Sequence, residues 1–170
     1  LIEGHPPPID LAALTNVSFQ SSPAGVEVSP GKYHVASLQA TAGFRYAQYM
    51  PQLLEEFGVK VVVGKAGMSE EVYQDVFKKH GAICLSTMGY GLGAIYGKAI
   101  KDVRNVYWVE ELGISEALWI LELDRLGPLL VEGDARGNSF FAQANEEINL
   151  NLGNLAKDIC LLYTSDAADE

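Results

Sequence analysis

The order of apolar and turn-forming segments predicts an α/β fold, a single domain with a mixed sheet flanked by helices. Three observations predict it. Short apolar runs, Val59 to Val63 and Ala82 to Leu85, read as strands covered on both faces. Each is followed by a glycine-bearing turn and a helical stretch, the alternation of a sheet with parallel strands. Downstream of about Ile100 the pattern changes to successive short strands divided by turn signals, as in an antiparallel meander.

Element by element, Val17 to Phe19 is a short strand, and Ser21, Ser22, Pro23, Gly25, Ser29, Pro30 and Gly31 make a turn-rich connection. Tyr33 to Leu38 reads as a strand that runs into Gln39-Ala-Thr-Ala-Gly-Phe-Arg45. A helix from Tyr49 to Phe57 is ended by Gly58. After Val59 to Val63 comes Gly64-Lys-Ala-Gly67. Ser69 is placed to cap a helix whose first turn holds Glu70 and Glu71, whose apolar stripe is Val72, Val76 and Phe77, and which stops at Gly81. The strand Ala82 to Leu85 leads into a glycine-rich turn, Gly89 to Gly93, and a helix to about Ile100. Val106 to Val109, Leu118 to Leu123, Leu129 to Glu132 and Ser139 to Phe141 are strand-like, with turns at Asp124 to Gly127 and Asp134 to Gly137.

Bulk properties narrow the function. The 170 residues are 48% hydrophobic, enough for one proper core. Net charge is -10, with the acids spread along the chain and no Lys/Arg block to track a phosphate backbone, so nucleic acid is not an expected partner. No apolar run approaches the roughly 20 residues of a membrane span, and the expected location is the cytoplasm. Cys84 and Cys160 lie far apart and His5, His34 and His80 are scattered, which gives neither a disulfide framework nor a recognisable metal site in this chain. The chain opens on Leu1 without a start methionine, and its last eleven residues resemble an in-frame translation of a sequencing adapter. The expected division is therefore a catalytic domain over 1–159, shortened at its N-terminus, and an artefactual tail over 160–170.

Chemistry is expected where loops leave the carboxyl ends of strands. One such loop carries Thr41 and Arg45. A second carries Gly64, Lys65 and Gly67 ahead of a helix, where an ammonium beside free backbone N–H groups suits an anion. A third is Gly89-Tyr-Gly91-Leu-Gly-Ala94. Each also has a plain reading: glycines that only permit a tight turn, Lys65 as a solvated charge, Arg45 as a surface ion-pair partner. Cys84, within an apolar strand, reads as a small core residue. Gly89, Gly91 and Ala94 match a G-x-G-x-x-A dinucleotide pattern, with Glu110 about where a ribose-binding acid would be sought; a nucleotide-binding module is the alternative this supports. Gly64-Lys65 is no Walker loop, because the upstream glycine and the following Ser or Thr are missing.

The run Gly58-Val-Lys-Val-Val-Val-Gly-Lys-Ala-Gly-Met68 is followed by Val106-Tyr-Trp-Val-Glu-Glu-Leu-Gly-Ile-Ser-Glu-Ala-Leu-Trp119. Further on stand Gly127-Pro-Leu-Leu-Val131 and Asp134-Ala-Arg-Gly-Asn138. Together, from about Ile9 to about Phe141, these closely resemble the beta subunit of L-tartrate dehydratase and the C-terminal domain of class I fumarases. The resemblance implies a swivelling β/β/α domain and a hydro-lyase activity: reversible dehydration of a 2-hydroxy dicarboxylate, malate to fumarate or tartrate to oxaloacetate. It implies a partner too, an alpha domain or subunit whose cysteines hold a 4Fe-4S cluster, within an oligomeric enzyme, this chain being inactive alone.

In that family a Gly-Pro-Thr-Thr loop carries a threonine regarded as the base, an arginine four residues later and a lysine twenty beyond. Thr41, Arg45 and Lys65 fall at those spacings, which implies Thr41 as catalytic and Arg45 and Lys65 as substrate-binding; Gly64, Gly67, Gly89 and Gly91, from the two glycine-bearing loops, are the further substrate-binding candidates. The chain departs from the pattern at Gln39-Ala40, at Ala42 and at Gly43-Phe44, and it lacks the upstream Arg-Asp-x-x-His segment. A non-catalytic partner of an alpha subunit is a further alternative.

Overall fold

The computed structural model describes residues 6–65, 67–88 and 91–166. The chain divides into two compact units, Leu1–Asn138 and Ser139–Glu170. In the first, α1 (Leu11–Leu14), β1 (Val17–Phe19), β2 (Ser21–Ser29) and β3 (Lys32–Ala40) precede a 3-10 turn (Gly43–Tyr49) that continues into α2 (Met50–Glu56). There follow β4 (Val61–Gly64), then α3 (Glu70–Val72), a π turn (Tyr73–Phe77) and α4 (Lys78–His80) as one continuous helical stretch, and β5 (Ile83–Thr87). Next are α5 (Gly93–Gly97), β6 (Ile100–Tyr107), α6 (Val109–Leu112), β7 (Leu118–Leu123) and β8 (Leu129–Gly133). The second unit holds α7 (Phe140–Asp166).

The expected mixed sheet flanked by helices is present. Its order is β1-β4-β5-β8, with β1, β4 and β5 parallel and β8 antiparallel to β5. Two antiparallel pairs, β2–β3 and β6–β7, form separate ribbons. The valine-rich β4 is buried as a doubly covered strand should be. Its Val62 belongs to one buried cluster with Met50, Leu54 and Phe57 of the α2 segment and Tyr73 and Phe77 of the π turn, a core that also takes in Met68 and Cys84. At the C-terminus of α4, Gly81 adopts φ +59 and closes the helix as expected. Among the described residues no helix is long and apolar enough to cross a membrane.

Four expectations are corrected. The serine- and proline-rich stretch from Ser21 is a strand, paired with β3 from Ser21↔Ala40 to Ser29↔Lys32, and the turn is confined to Pro30 and Gly31. Gly25 serves packing here: the ring of Trp119 occupies the space a side chain would need. The helix begun at Gly93 ends at Gly97, and Ile100 already opens β6. Val109 starts a helical turn, because Trp108 takes the left-handed conformation at φ +65 and ends the strand at Tyr107. Ser139 to Phe141 is no lone strand: the Ser139 hydroxyl accepts the Ala142 N–H at 3.2 Å, an N-cap for the long α7.

Candidate functional site

Because β1, β4 and β5 are parallel, the residues after them leave the same edge of the sheet, where open α/β sheets place their ligands. Three backbone hydrogen bonds lace that edge to the end of β3. Gln20 N–H donates to Val63 C=O (2.8 Å), Thr41 N–H to Gln20 C=O (2.8 Å), and Lys65 N–H to Thr41 C=O (3.1 Å). Thr41 and Lys65, from different strands, are thus direct backbone neighbours. Gly64 is buried between them; a Cβ there would stand 3.2 Å from Gln20 Oε1 and 3.7 Å from Thr41 C=O, so a larger residue would press on both.

Arg45 sits on the 3-10 turn four residues after Thr41, exposed, its guanidinium 5.7 Å from the Tyr46 ring centroid. The turn faces the Lys65 loop at another point: a Cβ on Gly67 would meet Phe44 Cδ1 at 3.7 Å. Gly67 has φ +102, a conformation that favours glycine.

Two of the backbone N–H groups in the loop expected to receive an anion are otherwise engaged. Lys65 N–H is held by Thr41, and Gly67 N–H donates to Glu132 Oε1 at 2.9 Å. Glu70 and Glu71 already fill the first turn of α3. Ser69 makes no side-chain cap; its hydroxyl instead holds the exposed Glu71 carboxyl below the usual carboxylate range.

Sequence reasoning missed Glu132, Tyr73 and Gln20. Glu132 is 1% exposed, and its Oε2, the Tyr73 hydroxyl and Gln20 Oε1 are buried without hydrogen-bond partners. Burial, then the neighbouring Cys84 and Glu132, holds the Tyr73 phenol well above its ordinary value. The only signal available was an acidic residue directly after the apolar run Leu129 to Val131; nothing local marks it as facing inward.

The family model for the fumarase C-terminus matches residues 3–144. The chain belongs to that family. It is 33% identical over 119 residues to a Methanocaldococcus jannaschii protein named for the beta subunit of L(+)-tartrate dehydratase, covering 70% of this chain and 60% of that protein. The beta subunit of L(+)-tartrate dehydratase of Escherichia coli K12 is 27% identical over 156 residues, 92% of this chain and 75% of the subunit. A Geobacillus stearothermophilus protein named for class I fumarate hydratase is 30% identical over 135 residues, 79% of this chain and only 25% of that longer protein.

In this member of the fumarase C-terminus family the third loop has a different setting. Gly89 lies outside the described residues. Gly91 is exposed at φ +84, and Gly93 packs so closely on Gln39 and Ser37 of β3 that a side chain would collide with both. The buried Tyr96 hydroxyl accepts the Met88 N–H at 3.0 Å and donates to Pro128 C=O at 3.2 Å, tying the end of β5 to the start of β8. After α5 the chain enters β6, which pairs antiparallel with β7 in another sheet; the parallel strand-helix-strand unit of a dinucleotide site is not formed here.

Among the described residues no three His, Cys, Asp or Glu side chains gather around one metal-sized space. Cys84 is 1% exposed, and burial, with the Glu132 charge second, pushes its thiol up to about 12. Iron clusters are held by several Cys thiolates, and the described residues offer the single, protonated Cys84 thiol, so the donors described here do not fit one. The Cys160 side chain lies outside the described residues.

Proposed function

We propose that this chain is the beta portion of a hydro-lyase that reversibly dehydrates a 2-hydroxy dicarboxylate, malate/fumarate or tartrate/oxaloacetate. We further propose that it acts only when joined to an alpha domain or subunit carrying a 4Fe-4S cluster. Membership of the family and the names of the relatives support the reaction class. The observation that carries the reading is the 3.1 Å hydrogen bond from Lys65 N–H to Thr41 C=O. It makes two crossover loops one unit, so that a hydroxyl and an ammonium leave adjoining backbone, with Arg45 on the turn just beyond.

In this reading Arg45 grips one substrate carboxylate through its planar two-pronged fork, and Lys65 adds a point charge. Thr41 takes the proton from the carbon next to the hydroxyl-bearing one. A threonine hydroxyl is a feeble base until ionised, and two nearby cations favour its ionised form. The same cations stabilise the negative charge that spreads into the carboxylate as the proton leaves. Departure of the hydroxyl is left to the partner, since no described residue of this chain is placed as its Lewis acid.

The test is anaerobic reconstitution with a cluster-bearing alpha partner, followed by assay of fumarate formation from malate and of oxaloacetate formation from tartrate. Turnover in the mixture and none with either part alone is the expected result. A partner active with its own beta subunit but silent on every 2-hydroxy dicarboxylate with this chain would overturn the reading.

A further inference from the structure

Glu132 is the one charged residue buried among the described residues, at 1% exposure. A register shift brings it inside. Val131 faces Leu85 and Gly133 faces Cys84, so Glu132 is the extra residue of a β-bulge, the device by which strands beside functional sites re-aim a side chain. Its neighbours are shaped around it: Gly133 lacks a side chain where the Tyr73 ring lies, and Tyr73 comes from the helical stretch that follows the Lys65 loop. Oε1 accepts the Gly67 N–H at 2.9 Å, whereas Oε2, near the Tyr73 hydroxyl, makes no well-formed hydrogen bond.

A buried carboxylate is costly, and beneath a loop that binds an anion its charge works against the ligand. What the loop takes from it is an acceptor at a fixed reach. We propose that Glu132 is a positioning residue, holding the backbone at Gly67 so that Lys65, two residues earlier, is presented to a substrate carboxylate. This rests on the reading that Lys65 binds such a group. Glutamine has the same reach, with its amide oxygen for Gly67 and its N–H for the neighbouring Tyr73 oxygen. Aspartate keeps the charge but falls one methylene short.

The full chain, ¹⁵N-labelled, is compared as wild type, Glu132→Gln and Glu132→Asp by amide hydrogen exchange at Gly67 and by L-tartrate titration read at the Lys65 amide. Gly67 exchange should stay slow in Glu132→Gln and quicken at least about tenfold in Glu132→Asp, with Val62 and Val63 unchanged as internal controls. Half-saturation by tartrate should rise severalfold in Glu132→Asp and stay within about twofold in Glu132→Gln. Equal exchange in all three proteins, or protection kept by Asp and lost by Gln, would overturn the proposal, because the charge or the packing would then be what matters. If the wild-type Lys65 amide ignores tartrate while the exchange order holds, the carboxylate-binding reading of Lys65 fails and the hold on Gly67 stands.

Discussion

In the proposed reaction Thr41 carries the heaviest demand of any single residue, because an alcohol would have to remove a proton from carbon. General-base removal contributes about 10²- to 10⁴-fold in rate, and a base that makes no ground-state contact shows its loss in kcat. In the reconstituted enzyme Thr41→Ala should lower kcat by at least about 10² with KM within about threefold, while Arg45→Ala and Lys65→Ala should damage both. Steady-state kinetics on malate or tartrate decides; normal turnover in Thr41→Ala removes it from the base role. Cys84 makes a different prediction. Its thiol is pushed up to about 12, and the Tyr73 phenol is also raised. The unfolded chain gives up its thiol proton near about 8.5 while the folded chain keeps it. Stability is therefore full below that pH and falls as pH rises toward about 12, by up to about 1.4 kcal/mol per unit from the thiol. Thermal melts should drop between about pH 8.5 and 10.5, and Cys84→Ala should flatten the slope. An unchanged slope in that variant assigns the loss to other groups.

Among the elements, α5 is seated on β3 through glycine. A Cβ on Gly97 would lie 2.5 Å from the Ala36 carbonyl oxygen, backbone that cannot swing aside. Gly97→Ala should destabilise the chain by about 1–3 kcal/mol in urea melts. Gly153 of α7 has nothing within 4 Å of its would-be Cβ, so Gly153→Ala should raise helix content and favour α7 by about 0.5–1 kcal/mol. Equal responses of the two variants would mean that propensity, not contact, governs both. The same contrast explains what the sequence discloses. β4 and β7 are legible because an apolar or β-branched run declares its own strand. β2 is not, since its Ser, Pro and Gly content reads as a turn and only pairing with β3 and the Trp119 ring make it a strand. The loops bearing Thr41 and Lys65 are legible from strand-to-loop transitions. The capture of the Gly67 N–H by Glu132 is not, because the bulge that turns Glu132 inward depends on register against β5, which no local pattern encodes.

At the scale of the whole molecule the question is which ligand an acidic chain with net charge -10 is built to meet. A dinucleotide would need the Gly89 to Ala94 turn to open a helix N-terminus within a parallel strand-helix-strand unit, so that free N–H groups face a pyrophosphate. Here α5 has five residues, Gly93 is pressed on Gln39 and Ser37, and the next strand joins β7 in another sheet. Against this, the Thr41 and Lys65 loops are hydrogen-bonded together at the strand ends, with Arg45 one turn away. Calorimetric titration of the full chain with nicotinamide and adenine nucleotides should give no saturable heat up to about millimolar concentration, the weak limit of specific binding. A saturable nucleotide signal that disappears in Gly91→Val, a substitution strained at φ +84, would reverse the ranking of the two ligand classes. A signal untouched by that change would point away from the turn altogether and toward the cationic pair, where phosphates and carboxylates compete for the same fork and ammonium.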